Sequence, residues 1–389
     1  MRLPLLNSRM APMGTTIFAE MSAMAVATQS VNLGQGFPDT DGPAVVAEAA
    51  AAAIMAGRGN QYPPGPGVPE LRRAIAAHQQ RFYRLDVNPD TEVLVTAGAT
   101  EAIAAALLAL TEPGDEVIAF EPYYDSYAAC IALAGAVRVP VTLRPPGFRP
   151  DLDALRAAIT PRTRLILLNS PHNPTGAVFS RAELTAIADL AVEHDLLVIT
   201  DEVYEHMVFD GEHVPIVTLP GMAGRTVTIS SAGKTFAFTG WKIGWVTGSA
   251  ELVTAVRTVK QFLTFVSGGP FQYAVAEGLA LPDSYYAQLN GDLRDRRDLL
   301  CDGLAEAGFA VYRPAGTYFV TTDISALGET DGIAFCRSLP QRAGVVAIPA
   351  AVFYDDAKAG ESLVRFAFCK KPEVLEEALT RLRRGLAPA

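Results

Sequence analysis

Between about residues 90 and 250, short runs of apolar and β-branched residues alternate with stretches whose apolar positions recur at helical spacing. The runs predict strands at 92–96, 116–120, 137–142, 164–169, 196–200, 226–230 and 243–248. Several, such as LILLN and LLVIT, are apolar throughout, as strands covered on both faces are. The helical spacing predicts helices at 100–110, 152–159 and 181–193, the last opening on the capping-box sequence Ser180-Arg-Ala-Glu183. This alternation predicts an α/β fold with an open, mostly parallel seven-stranded sheet flanked by helices. After residue 250 the rhythm changes. A helical region runs to about residue 305, followed by strands near 317–321, 345–348 and 363–368 and helices at 332–338 and 373–384. These describe a smaller α+β unit. No internal repeat, low-complexity tract or long linker interrupts the chain.

Composition narrows the class. With 389 residues, 50% of them hydrophobic, the chain can bury one large core or two smaller ones. A formal net charge of −10 argues against a nucleic-acid partner, whose footprint is a basic face. No apolar run reaches the roughly 18 residues of a membrane helix. The opening MRLPLLNSRMAPMG has too short an apolar stretch for a signal peptide. Cys130, Cys301, Cys336 and Cys369 have no metal-binding spacing, so free thiols in a reducing, cytoplasmic compartment are expected, with no metal.

In an open α/β sheet, ligands gather at the carboxyl ends of the strands. Four polar stretches fall there: TAGATEA, NSPHNPTG, DEVYEH and SAGKTF. Each has an ordinary reading as turn chemistry, but four together point to one composite site. Asp201 reads as a helix-capping or turn aspartate, or as a carboxylate held at a strand end for a cation such as a protonated pyridine nitrogen. Tyr204, three residues on, can aim its hydroxyl at the same ligand. The Asn173-Pro174 turn can present an amide to a ligand oxygen, whereas His172 beside it reads as structural. Gly98, Ala99 and Thr100 at a helix entry offer backbone N–H groups to an anion. The chain has only six lysines, and the first two are Lys234 and Lys242. A lysine, unlike an arginine, can lose its proton when desolvated and attack a carbonyl carbon to form a Schiff base. Lys242 and Ser231 can both reach a phosphate near that amine. Schiff-base amine, acid partner for a ring nitrogen and phosphate cradle together describe pyridoxal 5′-phosphate.

These motifs, with VNLGQGFPD (31–39), NQYPPG (60–65), EPYYDSY (121–127) and VRFAFCK (364–370), resemble the fold-type I pyridoxal-phosphate aminotransferases of class I/II over essentially the whole chain. Within that family they resemble the kynurenine/glutamine/methionine branch and, above all, its actinobacterial N-succinyldiaminopimelate aminotransferases. The resemblance implies a ping-pong transfer of an amino group from an L-amino acid to a 2-oxo acid. It implies that Lys234 forms the Schiff base, that Asp201 pairs with the pyridinium nitrogen, and that Asn173 and Tyr204 bond the phenolic oxygen. Tyr124 would stack on the ring. Ala99, Thr100, Ser231 and Lys242 would hold the phosphate, joined by Tyr62 from a neighbouring subunit of a homodimer. Arg365 would clamp the substrate carboxylate with Asn173 and the Gly36 backbone, and Phe18 would line the side-chain pocket. The implied division is an arm at 1–44, a large cofactor-binding domain at 45–280 and a small domain at 281–389. Ala99 stands where relatives often carry glycine, which a backbone donor tolerates. The same site also suits a cysteine-S-conjugate β-lyase. A regulator of this fold would need a DNA-binding domain, for which motifs starting at Val31 leave no room.

Overall fold

The structure is a computed structural model and describes residues 5–11, 13–14 and 16–387. Seven strands form the main sheet: β1 (Val93–Thr96), β2 (Glu116–Glu121), β3 (Val137–Thr142), β4 (Thr163–Asn169), β5 (Leu197–Asp201), β6 (Thr226–Ser231) and β7 (Gly244–Gly248). They lie in the order β1-β7-β6-β5-β4-β2-β3. β7 runs antiparallel to both neighbours, and every other pair is parallel.

Side chains alternate across each strand, so the two faces feed two cores. Ile166, Leu168 and Val198 enter one cluster, covered by Leu184, Ile187 and Leu190 of helix Arg181–Glu193. Leu165, Leu167 and Ile199 enter the other, covered by residues of helices Gly98–Leu110, Asp125–Ala134 and Ala250–Lys260. Burial on both faces explains why β4 and β5 read as unbroken apolar runs. The capping box forms as its sequence predicts: Ser180 Oγ accepts from the Glu183 amide at 3.3 Å, and Glu183 accepts from the Ser180 amide at 2.8 Å.

A second, antiparallel sheet contains β8 (Ala310–Tyr312), β9 (Phe319–Asp323), β10 (Ile348–Pro349) and β11 (Leu363–Ala367) in the order β10-β11-β9-β8. The strand expected at 317–321 starts at Phe319 instead, because Thr317 sits at φ 65°, outside strand geometry. The strand expected at 345–348 is two pieces. Val345–Val346 pairs in parallel with Val31–Asn32, after which the chain changes partner and Ile348–Pro349 joins the small sheet. The helix expected at 332–338 runs to Ala343, with Pro340 in its last turns. Helix Ile17–Thr28 packs on helix Gly332–Ala343, so both chain ends contribute to the smaller unit. No helix among the described residues is long and apolar enough to cross a membrane.

Candidate active site

Strand register brings the four polar stretches together. Asn169 at the end of β4 lies opposite Asp201 at the end of β5. Thr96, Gly244 and Ser231 lie in one row across β1, β7 and β6. A cavity of about 370 Å³ opens at this edge. It is lined by Phe18, Gly36, Ala99, Thr100, Tyr124, Asn173, Asp201, Tyr204, Ser231, Lys234, Lys242 and Arg365, every expected site residue except Tyr62.

Lys234 sits in the single helical turn Ala232–Thr235, directly after β6. Its Nζ donates to the Tyr318 hydroxyl at 3.0 Å, and that hydroxyl donates to the Gly36 carbonyl at 2.6 Å. Desolvation holds the amine's pKa at about 8, with the Arg365 and Lys242 charges adding to the depression. Its neutral, nucleophilic form is therefore far more accessible near neutrality than that of an ordinary lysine.

Asp201 is 5% exposed. One oxygen accepts from the Tyr127 hydroxyl at 2.6 Å and the other from the Val203 amide at 3.3 Å. Burial raises its pKa, partly countered by those two donors. Among the described residues no lysine or arginine forms an ion pair with it. A buried carboxylate that faces the cavity with no ion-pair partner of its own fits a ligand that brings a cation. Asn169 Nδ2 donates to the Asp201 carbonyl at 2.8 Å and its Oδ1 accepts from the Asn173 amide at 2.7 Å, locking the two loops together.

Arg365 presents the opposite case. It is 2% exposed on β11 and donates to Asn173 Oδ1 at 3.2 Å and to the Gly34 carbonyl at 2.8 Å. Its Nε is buried with no partner. Phe319 lies 4.0 Å beneath the guanidinium, with Phe18 and Phe353 further out. Burial lowers its pKa only to about 10, so the charge persists. Among the described residues no carboxylate pairs with it. A buried, charged fork with an unused donor fits a ligand carboxylate.

The third element is an anion cradle. Gly98 opens helix Gly98–Leu110 at φ 74°, and a side chain there would begin 3.1 Å from Lys242 Nζ. Only glycine allows both that backbone and that approach. Lys242, itself at φ 55°, and the buried Ser231 stand beside the free N–H groups of the helix entry. Tyr124 caps the next helix, and burial moves its hydroxyl up to about 12. Tyr204 is 2% exposed, its ring perpendicular to that of Tyr318, and burial pushes its hydroxyl well up.

Tyr62 lies outside its own chain's cavity, 82% exposed, against Phe265 at 5.5 Å. His172 is 1% exposed, bonded to Thr175 at 2.8 Å and held neutral by burial at a pKa of about 3, a structural role. Sequence reasoning missed Tyr127 and Tyr318, which touch Asp201 and Lys234, and also Asn169, Gln35 and Phe319. Tyr127 had a signal, one helical turn beyond Tyr124. Tyr318 had none.

Residues 28–382 match the model of aminotransferase class I and II. The chain belongs to that family. Its relatives include the probable N-succinyldiaminopimelate aminotransferase DapC of Mycobacterium tuberculosis, 56% identical over 96% of this chain and 97% of that protein. They also include the methionine aminotransferase of Escherichia coli, 42% identical over 97% and 98%. The solved structure of the M. tuberculosis N-succinyldiaminopimelate aminotransferase superposes with a TM-score of 0.96, covering 98% of this chain and 100% of that one. This aminotransferase, like its class, uses pyridoxal phosphate. The residues present fit that group: an anion cradle, a half-buried neutralisable amine and a buried carboxylate without a cation surround one cavity.

Proposed function

We propose that this aminotransferase works through a site in which Lys234 carries the chemistry, Asp201 and the anion cradle hold the cofactor, and Arg365 holds the substrate. The observation that carries this reading is a depressed lysine amine between a buried uncompensated carboxylate and a buried unpaired guanidinium, in one cavity. Pyridoxal phosphate, when bound, supplies the electron sink that lets an amino acid lose its Cα proton and pass its amino group to a 2-oxo acid. Ala99 and Thr100 amides, Ser231 and Lys242 would hold its phosphate, Tyr124 its ring face, Asn173 and Tyr204 its phenolic oxygen and Asp201 its ring nitrogen. A buried Asp201 carboxylate stabilises a proton on the atom it faces. Arg365, already oriented by Asn173 and Gly34, takes the substrate carboxylate as a fork and fixes Cα beside Lys234. Lys234 Nζ then accepts and returns the Cα proton, with Tyr318 orienting the amine.

The cations lining the cavity are Lys234, Lys242 and Arg365, and all three have work. None of Arg9, Arg257, Arg313 and Arg337 lines it; Arg313 and Arg337 are engaged with Asp298 and Glu20. The apolar wall of Phe18, Ile103 and Phe319 supports a donor with an apolar or aromatic side chain, such as methionine, phenylalanine or kynurenine. A second reading, N-succinyldiaminopimelate, is favoured by the 56% identical relative so named. Steady-state assays of these donors against pyruvate, 2-oxoglutarate and 2-oxo-4-methylthiobutyrate test both readings. The highest kcat/KM with N-succinyl-LL-diaminopimelate overturns the first.

Tyr62 packs against Phe265, and Phe262 and Leu263 of the same segment are also exposed, which supports a homodimer in which the Tyr62 of one subunit completes the phosphate site of the other. Pairing of Val31–Asn32 with Val345–Val346 supports a division into arm (1–44), large domain (45–280) and small domain (281–389). Four buried free cysteines support a cytoplasmic setting.

A further inference from the structure

Behind the loop that carries Asp201 and Tyr204, outside the cavity, His78 and His206 meet a buried carboxylate. His78 lies on helix Pro69–Tyr83, and Glu205 and His206 lie in the turns after β5. The two Nε2 atoms face each other at 2.7 Å, with the rings at 87°. Donor atoms of His78, His206 and Glu205 all lie within 4.8 Å of one another. His78 is 2% and Glu205 6% exposed, while His206 is partly open to solvent.

Two features set this cluster apart from an ordinary buried histidine pair. First, Glu205 is already oriented: the Tyr83 hydroxyl and Ser230 Oγ each donate to it at 2.6 Å, on separate oxygens. Such outer hydrogen bonds hold metal-ligating carboxylates in place. Second, the charge is unmatched. Neighbouring Glu202 has His213 at 2.9 Å, but among the described residues Glu205 has no lysine or arginine in ion-pair range. Arg81, in the last turn of the same helix, is paired with Asp283. Two facing imidazole nitrogens can share only one proton between them, and the other Nδ1 of His78 is buried without a partner.

We propose that His78 Nε2, His206 Nε2 and a Glu205 oxygen bind one zinc-type divalent cation, with water from the open His206 side as fourth ligand. Two imidazoles and a carboxylate suit zinc or its borderline neighbours rather than magnesium or calcium, which prefer all-oxygen shells. Tetrahedral coordination at about 2.0–2.1 Å needs the two nitrogens about 3.4 Å apart. The pair must therefore open slightly, which the exposed edge of His206 permits. The ion would clamp helix Pro69–Tyr83 to the segment bearing Asp201 and Tyr204. It takes no part in the transfer reaction.

The test uses cofactor-loaded enzyme, dialysed against chelator and titrated with Zn²⁺ by calorimetry, with metal content read by mass spectrometry and thermal unfolding alongside. One equivalent per chain that raises Tm is expected, and Co²⁺ should give the visible bands of a tetrahedral site. His206→Gln should lose that equivalent and the Tm rise. Tyr83→Phe, which leaves all three ligands but frees Glu205, should weaken binding by about 10–100-fold. No stoichiometric Zn²⁺ in the wild type overturns the proposal, as does equal binding by wild type and His206→Gln. Should His206→Gln fail to fold, undiminished affinity in Tyr83→Phe overturns it equally.

Discussion

A lysine amine held near pKa 8 is protonated and inert below that value and nucleophilic above it. The rate at which cofactor-free enzyme attaches pyridoxal phosphate should therefore rise with pH and level off above about 8, followed by stopped-flow absorbance. A rate flat across neutrality would contradict the depressed amine. Lys234→Ala should show no covalent attachment and no turnover, and Lys234→Arg should not rescue either, since a guanidinium keeps its proton. Asp201→Ala should still bind cofactor but lose about 100–1,000-fold in kcat. Tyr127→Phe removes one donor to the same carboxylate and should cost less. Arg365→Ala should raise KM for amino acids far more than it weakens cofactor binding, and Arg365→Lys should recover little, because both terminal nitrogens are held by Asn173 and Gly34 and a lysine cannot reproduce the planar fork. The sequence made Lys234, Asp201 and Arg365 legible because each is an unusual residue at a strand end or in a recognisable motif. Tyr318 was not legible. Its contact with Lys234 crosses between the two sheets, and no local pattern encodes that.

At the scale of elements, β1 to β7 were readable to within about a residue: the central β4 and β5 are covered on both faces and almost wholly apolar, and the exposed edge strand β3 shows as a run of β-branched residues. Helices were less so. Ala44–Met55 is mostly alanine and valine, and its apolar residues run right around the axis, leaving no stripe to detect. Ile17–Thr28 is similarly uniform, and its burial comes from a long-range partner, helix Gly332–Ala343. The strand at 345–348 was read as one piece because sequence periodicity cannot show a change of partner at Ala347. Local signals with their own chemistry did survive, the capping box above all. Ser180→Ala should destabilise by about 1 kcal/mol in denaturant unfolding while leaving kcat/KM unchanged, since that helix end is exposed and Ser180 does not line the cavity. Gly98→Val should do the reverse. Its φ of 74° and the approach of Lys242 leave no room for a side chain, so cofactor affinity measured by titration should fall sharply. Unaltered affinity would remove Gly98 from the cradle.

For the whole molecule, the decisive residue is the one that does not reach its own cavity. Every other expected site residue lines the pocket, whereas Tyr62 is 82% exposed and packs against Phe265, itself 49% exposed. Two large aromatic rings held on one surface in water are costly unless another surface covers them. An isologous dimer would cover both copies of the patch at once and carry each Tyr62 toward the other subunit's anion cradle. This makes a prediction independent of mass measurement. Lys234→Ala and Tyr62→Ala should each be strongly impaired alone, the first in chemistry and the second in cofactor retention. When the two chains are unfolded and refolded together, mixed dimers should pair an intact lysine with an intact partner tyrosine in one of their two sites. Random mixing should restore up to about a quarter of wild-type activity. Separately refolded samples, combined afterwards without subunit exchange, should restore none. If co-refolding recovers nothing although mixed dimers are present by native mass spectrometry, each site is built from one chain, and Tyr62 belongs to surface packing alone.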